Sequence, residues 1–288
     1  MVESPVEIRS VADAVDRMTE ILSSRDEARE LLALLHDQPR FWPSTAAEQV
    51  LSNADVERAI AAAERRSTGM PLEYAAGRAA FRHLTLAVDQ RVLIPRPETE
   101  QLVEVVLEMT GDARGGSVVD VGTGSGAIAL ALASEGHFAK VMGTDVSLDA
   151  LAVARANAQT LAEASWARIE LRHGSLLGPV GETGLAAVVS NPPYISFAEA
   201  GALPASVRDW EPAVALFAGD DGMAAIAQLI REAASRLAPL GLLALEVDSR
   251  RAEVAAELAR TNGAYVDVRV LLDLTGRERF VVARRREE

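Results

Sequence analysis

The segment Ser117–Asp145 limits the possible folds more than any other part of the chain. Ser117–Val121 is an apolar run of strand length, and Asp120-Val121-Gly122-Thr123-Gly124-Ser125-Gly126 turns it over. Ala127–Ser134 has the composition of a buried helix, and Val141–Asp145 is a second apolar run that ends on an acid. Strand, glycine turn, helix and strand make the unit from which parallel sheets are built. The glycines let the backbone turn sharply and let a ligand come close. Asp145 stands 19 residues after Gly126. An acid at that distance can accept from both hydroxyls of a ribose. The pair points to a cofactor containing a nucleoside.

The spacing narrows the cofactor. Dinucleotide folds use G-x-G-x-x-G, whereas this loop reads G-x-G-x-G, with Asp120 directly before the turn. An acid is unwelcome beside a pyrophosphate and welcome beside an ammonium. S-adenosyl-L-methionine carries an amino group, a sulfonium and a ribose, with no phosphate. It is the expected cofactor, with S-adenosyl-L-homocysteine as product. A nicotinamide or flavin dinucleotide is the alternative. A purely structural turn is the other, and the ribose acid counts against it.

The alternation continues downstream. Ala150–Leu161 reads as a helix, Ile169–Arg172 and Ala186–Ser190 as strands, Gly222–Ala238 as a helix ended by Pro239 and Gly241. Gly241–Val247 reads as a strand and Arg251–Thr261 as a helix. Tyr265–Leu271 and Arg279–Ala283 read as late strands around Thr275-Gly276-Arg277. This pattern predicts an α/β fold: a mainly parallel sheet, helices on both faces and an antiparallel closing hairpin.

Upstream, residues 6–67 read as helices only. Ile8, Val11, Val15, Met18 and Leu22 form one helical stripe. Ser24 with Glu27, Thr45 with Glu48, and Ser52 with Asp55 mark further helix starts, with Pro39 and Pro43 between them. Gly69 and Pro71 close the last helix. From Phe81 the period becomes two, through Leu84, Leu86 and Val88, and Asp89-Gln90-Arg91 leads into Val92-Leu93-Ile94. That predicts a hairpin turning at 89–91. The expected division is a helical domain over 1–78, a β-hairpin linker over 79–95 and an α/β domain over 96–288.

Composition excludes several functions. There is no cysteine, so disulfides and thiolate metal sites are ruled out. His36, His83, His137 and His173 are scattered, so no metal is expected. The net charge of −13 disfavours a large phosphate-backbone footprint, and no direct nucleic-acid binding is expected. No run approaches the roughly 18 apolar residues of a membrane span, and Glu3 and Glu7 stand where a signal peptide would be basic. The expectation is a cytoplasmic protein with no membrane partner. The Arg284-Arg285-Arg286 tail reads as a solvated end.

A second site stands at the end of Ala186–Ser190. Asn191-Pro192-Pro193-Tyr194 is a poor core sequence, and open α/β sheets bind ligands at the carboxyl edge of their strands. A residue before proline stays extended, and neither proline offers an N–H. The loop therefore presents an Asn side-chain oxygen, backbone carbonyls and an aromatic wall, which suits a planar –NH2 group.

With that cofactor and that loop, the chain resembles the amino-methyltransferases marked by [Asn/Asp]-Pro-Pro-[Tyr/Phe/Trp]. These act on adenine, cytosine or a glutamine amide. Further stretches resemble the HemK/PrmC family, the N5-glutamine methyltransferases of peptide chain release factors. They are Leu93-Ile94-Pro95-Arg96-Pro97-Glu98-Thr99-Glu100, Glu211-Pro212 with Ala215-Leu216 and Gly219-Asp220-Asp221-Gly222, and Pro71-Leu72-Glu73-Tyr74 with Gly77 and Phe81. The Pro-Glu-Thr-Glu ending favours the release-factor branch over the sister enzymes of a ribosomal protein glutamine.

The resemblance implies a class I S-adenosylmethionine-dependent methyltransferase, Rossmann-like, with a mostly parallel seven-stranded sheet. A small N-terminal helical bundle, joined by a β-hairpin, would dock the protein substrate. The substrates implied are release factors 1 and 2, methylated on the glutamine of a Gly-Gly-Gln loop, which modulates translation termination. Gly122, Thr123, Gly124, Ser125 and Gly126 would line the methionine and ribose, and Asp145 would hold the ribose. Asn191 would touch cofactor and substrate, and Asn191, Pro192, Pro193 and Tyr194 would hold the glutamine. Ser175-Leu176 stand where the family has an acid and an aromatic, so Leu176 would cover one adenine face. Glu246-Val247-Asp248 depart from the family's Glu-Ile-Gly with a following Gln, a departure expected to lie away from the acceptor loop.

Adenine-N6 methylation of DNA or RNA is the main rival activity. It predicts a basic groove beside the loop, and Ser196–Asp221 carries Glu199, Asp209, Glu211, Asp220 and Asp221 against Arg208. A binding protein that had lost activity would show a damaged glycine loop or lack Asn191, and this chain shows neither.

Overall fold

The structure is a computed structural model and describes residues 9–111, 115–219 and 222–287. The expectations for Glu3, Glu7, Ile8, Asp220 and Asp221 fall outside the described residues. The chain divides into two compact units. One comprises Met1–Ala79 with Ala205–Trp210, and the other Ala80–Pro204 with Glu211–Glu288.

In the first unit lie α1 (Val11–Leu22), α2 (Arg25–Leu35), α3 (Trp42–Thr45), α4 (Asn53–Ser67) and α5 (Leu72–Ala76). Ser10 and Asp13 form a capping box at α1, and Ser52 and Asp55 form one at α4. Ser24 caps α2 by accepting from the Glu27 N–H. Val11, Val15, Met18, Leu31, Leu32 and Ala62 meet in one apolar core. Thr45 does not start a helix as expected; it ends α3. The carbonyls of Ala47 and Gln49 accept from Ala12 and Val11 instead, which holds the following chain extended against the start of α1.

β1 (Arg78–Phe81) and β2 (Leu84–Ala87) form a two-stranded sheet. Their turn is Arg82-His83, not residues 89–91. Arg82 takes a left-handed φ of 52°. Its N–H donates to Glu100, and its guanidinium donates to Glu104 and Glu135. Val92-Leu93-Ile94 therefore follow a turn without forming a strand.

The second unit continues through α6 (Pro97–Met109), β3 (Ser117–Val121), α7 (Ala127–Glu135), β4 (Lys140–Asp145), α8 (Leu148–Ala158), α9 (Glu163–Trp166), β5 (Ile169–His173) and β6 (Leu185–Ser190). A 3-10 turn covers Phe197–Ala202, and α10 (Ala205–Arg208) belongs to the first unit. Then come α11 (Ala213–Leu216), α12 (Ala224–Arg236), β7 (Leu237–Glu246), α13 (Ser249–Asn262), β8 (Tyr265–Leu272) and β9 (Glu278–Arg285). The seven-stranded sheet has the order β5-β4-β3-β6-β7-β9-β8. Strands β3 to β7 pair in parallel, while β9 runs antiparallel to β7 and β8.

Both faces of this sheet are buried, which explains runs of apolar residues without alternation. Val118, Ala187, Val189 and Phe280 pack towards α6 and α7. Val119, Val188, Leu243 and Val281 pack towards α12 and α13. β7 starts four residues earlier than its sequence suggests. Pro239 is accommodated because the β6–β7 register shifts between Leu185 and Ala187, an irregularity of the kind that tolerates proline.

Arg284 and Arg285 are half-buried rather than solvated, whereas Arg286 is exposed as expected. Arg284 donates to the Met109 carbonyl at the end of α6, Arg285 to Ala234 in the last turn of α12 and Arg286 to Gly263 after α13. Guanidinium groups there satisfy carbonyls that a helix leaves open. Among the described residues no helix is long and apolar enough to cross a membrane.

Candidate active site

Strand β3 lies between β4 and β6, and the sheet grows outwards from it in both directions. The ligand crevice of an open α/β sheet forms at such a point, beyond the carboxyl ends of the strands. Val121 pairs with Thr144 on one side and Ser190 on the other. The glycine loop, Asp145 and Asn191 consequently leave the sheet side by side. The Ser190 hydroxyl donates to the Val121 carbonyl at 2.6 Å and ties the two strand ends together.

A cavity of about 390 Å³ opens there, within the second unit. That is within the usual range for small-molecule sites. Gly122, Gly124, Asp145, Leu176, Asn191 and Pro193 line it. The Gly124 N–H donates to Asp145 Oδ2 at 2.9 Å, and the Ser147 N–H donates to Oδ1 at 2.9 Å. Both carboxylate oxygens are thus fixed, each with acceptor capacity left for a hydroxyl. Gly124 has φ of 56°, and a Cβ added there would meet nothing within 4 Å. The backbone wall is bare where a side chain would otherwise intrude. Leu176 adds an apolar surface. It too is left-handed, at φ 46°, and its carbonyl is held by the Thr144 hydroxyl at 2.9 Å. Bare backbone, a fixed carboxylate and an apolar wall fit the ribose and base of an adenosyl group.

A match to the family model of the methyltransferase small domain covers residues 98–203. The release factor glutamine methyltransferase of Moorella thermoacetica is 45% identical over 241 residues, 84% of each chain. The chain belongs to the release factor glutamine methyltransferase family. The enzyme of that name from Deinococcus radiodurans is 43% identical over 229 residues, 79% of each chain. A solved methyltransferase from Pyrococcus furiosus shares the fold at TM-score 0.52 and 19% identity, over 72% of this chain and 92% of that one. As a family member the protein is an S-adenosylmethionine-dependent methyltransferase with the class I fold.

Several expected site residues of this methyltransferase stand behind the cavity wall. Thr123 is buried and donates to Asp120 Oδ2 at 2.6 Å. The Ser125 carbonyl accepts from Asn157, Gly126 turns the chain into α7, and Pro192 is buried. Tyr194 is half-buried against the apolar cluster beneath α12 and α13. Burial pushes its phenol up to about 12, so it stays neutral. Asp120 does not face the cavity. It accepts from the Thr123 hydroxyl and the Ala129 N–H, and burial pushes its carboxyl up to about 7. Ser175 lines the cavity in the place expected of the family's acid.

Sequence reasoning missed three supporting side chains. Asn157 bonds both the N–H and the carbonyl of Ala87 and reaches the Ser125 carbonyl, which fixes the glycine loop from below. Thr99 accepts from Asn191 Nδ2 at 3.1 Å and donates to Glu246 Oε2 at 2.8 Å. Glu246 therefore lies beside the acceptor loop, contrary to the expectation that its stretch lies away from it. The signal for Thr99 was its position in the Pro-Glu-Thr-Glu signature. Periodicity carries none for Asn157 or Glu246. The loop also pairs with residues 216–218, since the Ile195 N–H donates to Leu216 and the Ala218 N–H to Ile195.

Proposed function

We propose that the protein transfers a methyl group from S-adenosyl-L-methionine to the side-chain amide nitrogen of a glutamine in peptide chain release factors 1 and 2. The observation that carries this is Asn191 on the cavity wall with its Nδ2 tied back to Thr99, which leaves Oδ1 as an acceptor. The names of its relatives support the protein substrate.

Asp145 would accept from the ribose hydroxyls, Gly122 and Gly124 would pass the methionine and ribose, and Leu176 would cover the base. The bound cofactor supplies a methyl already activated by sulfonium, so the reading requires no metal. An amide nitrogen is a poor nucleophile because its lone pair is shared with the carbonyl. Asn191 Oδ1 and the Pro192 carbonyl would each accept one N–H of the substrate amide. Fixed acceptors favour positive charge building on nitrogen and aim its lone pair, so positioning and electrostatics carry the rate. Pro193 on the cavity wall would hold the amide plane, with Tyr194 packed behind it. Asn191 and the Pro192 carbonyl would hold the nitrogen through transfer, and the proton it then sheds would pass to solvent.

The helical unit would dock the release factor, and the reaction would take place in the cytoplasm without direct nucleic-acid contact. Incubation with methyl-labelled cofactor and, separately, a release factor, a ribosomal protein or duplex DNA tests the reading. Label confined to the release factor is expected, and label in DNA would contradict it.

A further inference from the structure

Three side chains form a hydrogen-bonded chain behind the acceptor loop. Asn191 Nδ2 lies 3.1 Å from Thr99 Oγ1, which lies 2.8 Å from Glu246 Oε2. Thr99 is 5% exposed and Glu246 is 2% exposed. Thr99 stands in the first turn of α6, Glu246 ends β7 and Asn191 follows β6. The pairing of Ser190 with Leu245 brings Asn191 and Glu246 to the same sheet edge.

The chain of bonds has a direction. A carboxylate only accepts, so the single hydroxyl proton of Thr99 goes to Glu246, and Thr99 offers Asn191 a lone pair. That lone pair takes an amide N–H. Nδ2 is thereby held at the back, and Oδ1 is the end left for a ligand. We infer that Glu246 is a positioning residue: through Thr99, its carboxylate holds the Asn191 amide with the oxygen towards the substrate, and its protonated form releases that orientation. This deepens the proposed reaction and rests on Asn191 Oδ1 as acceptor of the substrate N–H. A protonated Glu246 can donate to Thr99, which then donates to Asn191. The amide answers with its oxygen, and Nδ2 meets the substrate N–H donor to donor.

The surroundings bring this change near neutral pH. Burial pushes Glu246 up to about 7, opposed by the Thr99 hydrogen bond. The charged groups that face it are Arg279 on β9 and Arg96 and Glu98 at the start of α6. Tyr194 also lies within electrostatic reach of Glu246, and it stays neutral. Of the three hydrogen-bonded side chains, Glu246 is the one that titrates.

The test is turnover of the full-length enzyme on a release factor at saturating cofactor, from about pH 5.5 to about pH 9. Wild-type kcat is expected to rise through an inflection near 7. Glu246→Gln should flatten that profile. Thr99→Val should lower kcat roughly ten- to hundredfold, the scale on which misplaced groups cost rate. Cofactor Kd should stay unchanged and Thr99→Ser should restore turnover. Wild-type kcat and inflection in both Glu246→Gln and Thr99→Val would overturn the positioning role while leaving the acceptor reading intact. Full turnover in Asn191→Ala would overturn both.

Discussion

Arg96 Nη2 lies 2.6 Å from Oε1 and 2.7 Å from Oε2 of Glu211, whose side chain is 1% exposed. This pair joins the two signature stretches on either side of the acceptor loop. One begins α6, and the other leads into residues 214–219 on the cavity wall. Glu211 is the buried partner and Arg96 the half-exposed one, so loss of Arg96 should cost up to about 3 kcal/mol. Arg96→Ala should lower the melting temperature and weaken cofactor binding together. Loss of the exposed Arg208–Asp209 pair should leave both unchanged. Differential scanning calorimetry with and without cofactor product separates the two cases.

Asp145→Ala should weaken binding of the cofactor and of its product. A hydrogen bond to a charged group is worth about 1.5–3 kcal/mol, or roughly ten- to hundredfold in Kd. Calorimetric titration gives the value directly. Equal affinity in the variant would remove Asp145 from the ribose.

Gly222 has φ of 72°, and a Cβ there would lie 2.1 Å from the Tyr194 carbonyl oxygen. Gly222→Ala must therefore displace the acceptor loop. The expected result is a large fall in kcat with a smaller change in cofactor Kd. Gly181→Ala is the control, because its Cβ would meet nothing within 4 Å. Steady-state kinetics on both variants checks the claim.

Acid should weaken the sheet edge at β4 and β5. Arg172 and Lys140 bond Glu170 and Glu182. Hydrogen bonds from Arg172 and then Lys140 hold Glu170 down to about 2, against an ordinary 4.5, and Glu182 is lowered by the same partners. Depressed carboxyl pKa values give stability that is full above the ordinary value and is lost as pH falls through the folded one. Unfolding followed from pH 5 to pH 2 should show that loss, and Arg172→Gln should shrink it.

Much of the site was legible because its chemistry lies at strand ends. Gly122 to Gly126, Asp145 and Asn191 each follow an apolar run, so the sheet and its ligand edge could be placed together. Residues whose role depends on tertiary partners were not legible. The hairpin turn fell at Arg82 because three glutamates distant in sequence capture it, while Asp89-Gln90-Arg91 has better turn composition. Thr99 and Glu246 meet only once α6 packs against β7. The acidic character of Ser196–Asp221 also read too simply. Glu199 is paired with Arg250 and Arg251, Glu211 with Arg96 and Asp209 with Arg208. The expectation against nucleic acid that rested on these acids therefore weakens, and the net charge of −13 is what is left of it.

The most direct measurement is tandem mass spectrometry of a release factor after incubation with cofactor and either wild-type enzyme or Asn191→Ala. The account predicts one added methyl on the side-chain amide nitrogen of a single glutamine with wild type, and loss of most of that signal with the variant although cofactor still binds. A methyl on any other residue type, or equal methylation by both proteins, would contradict it.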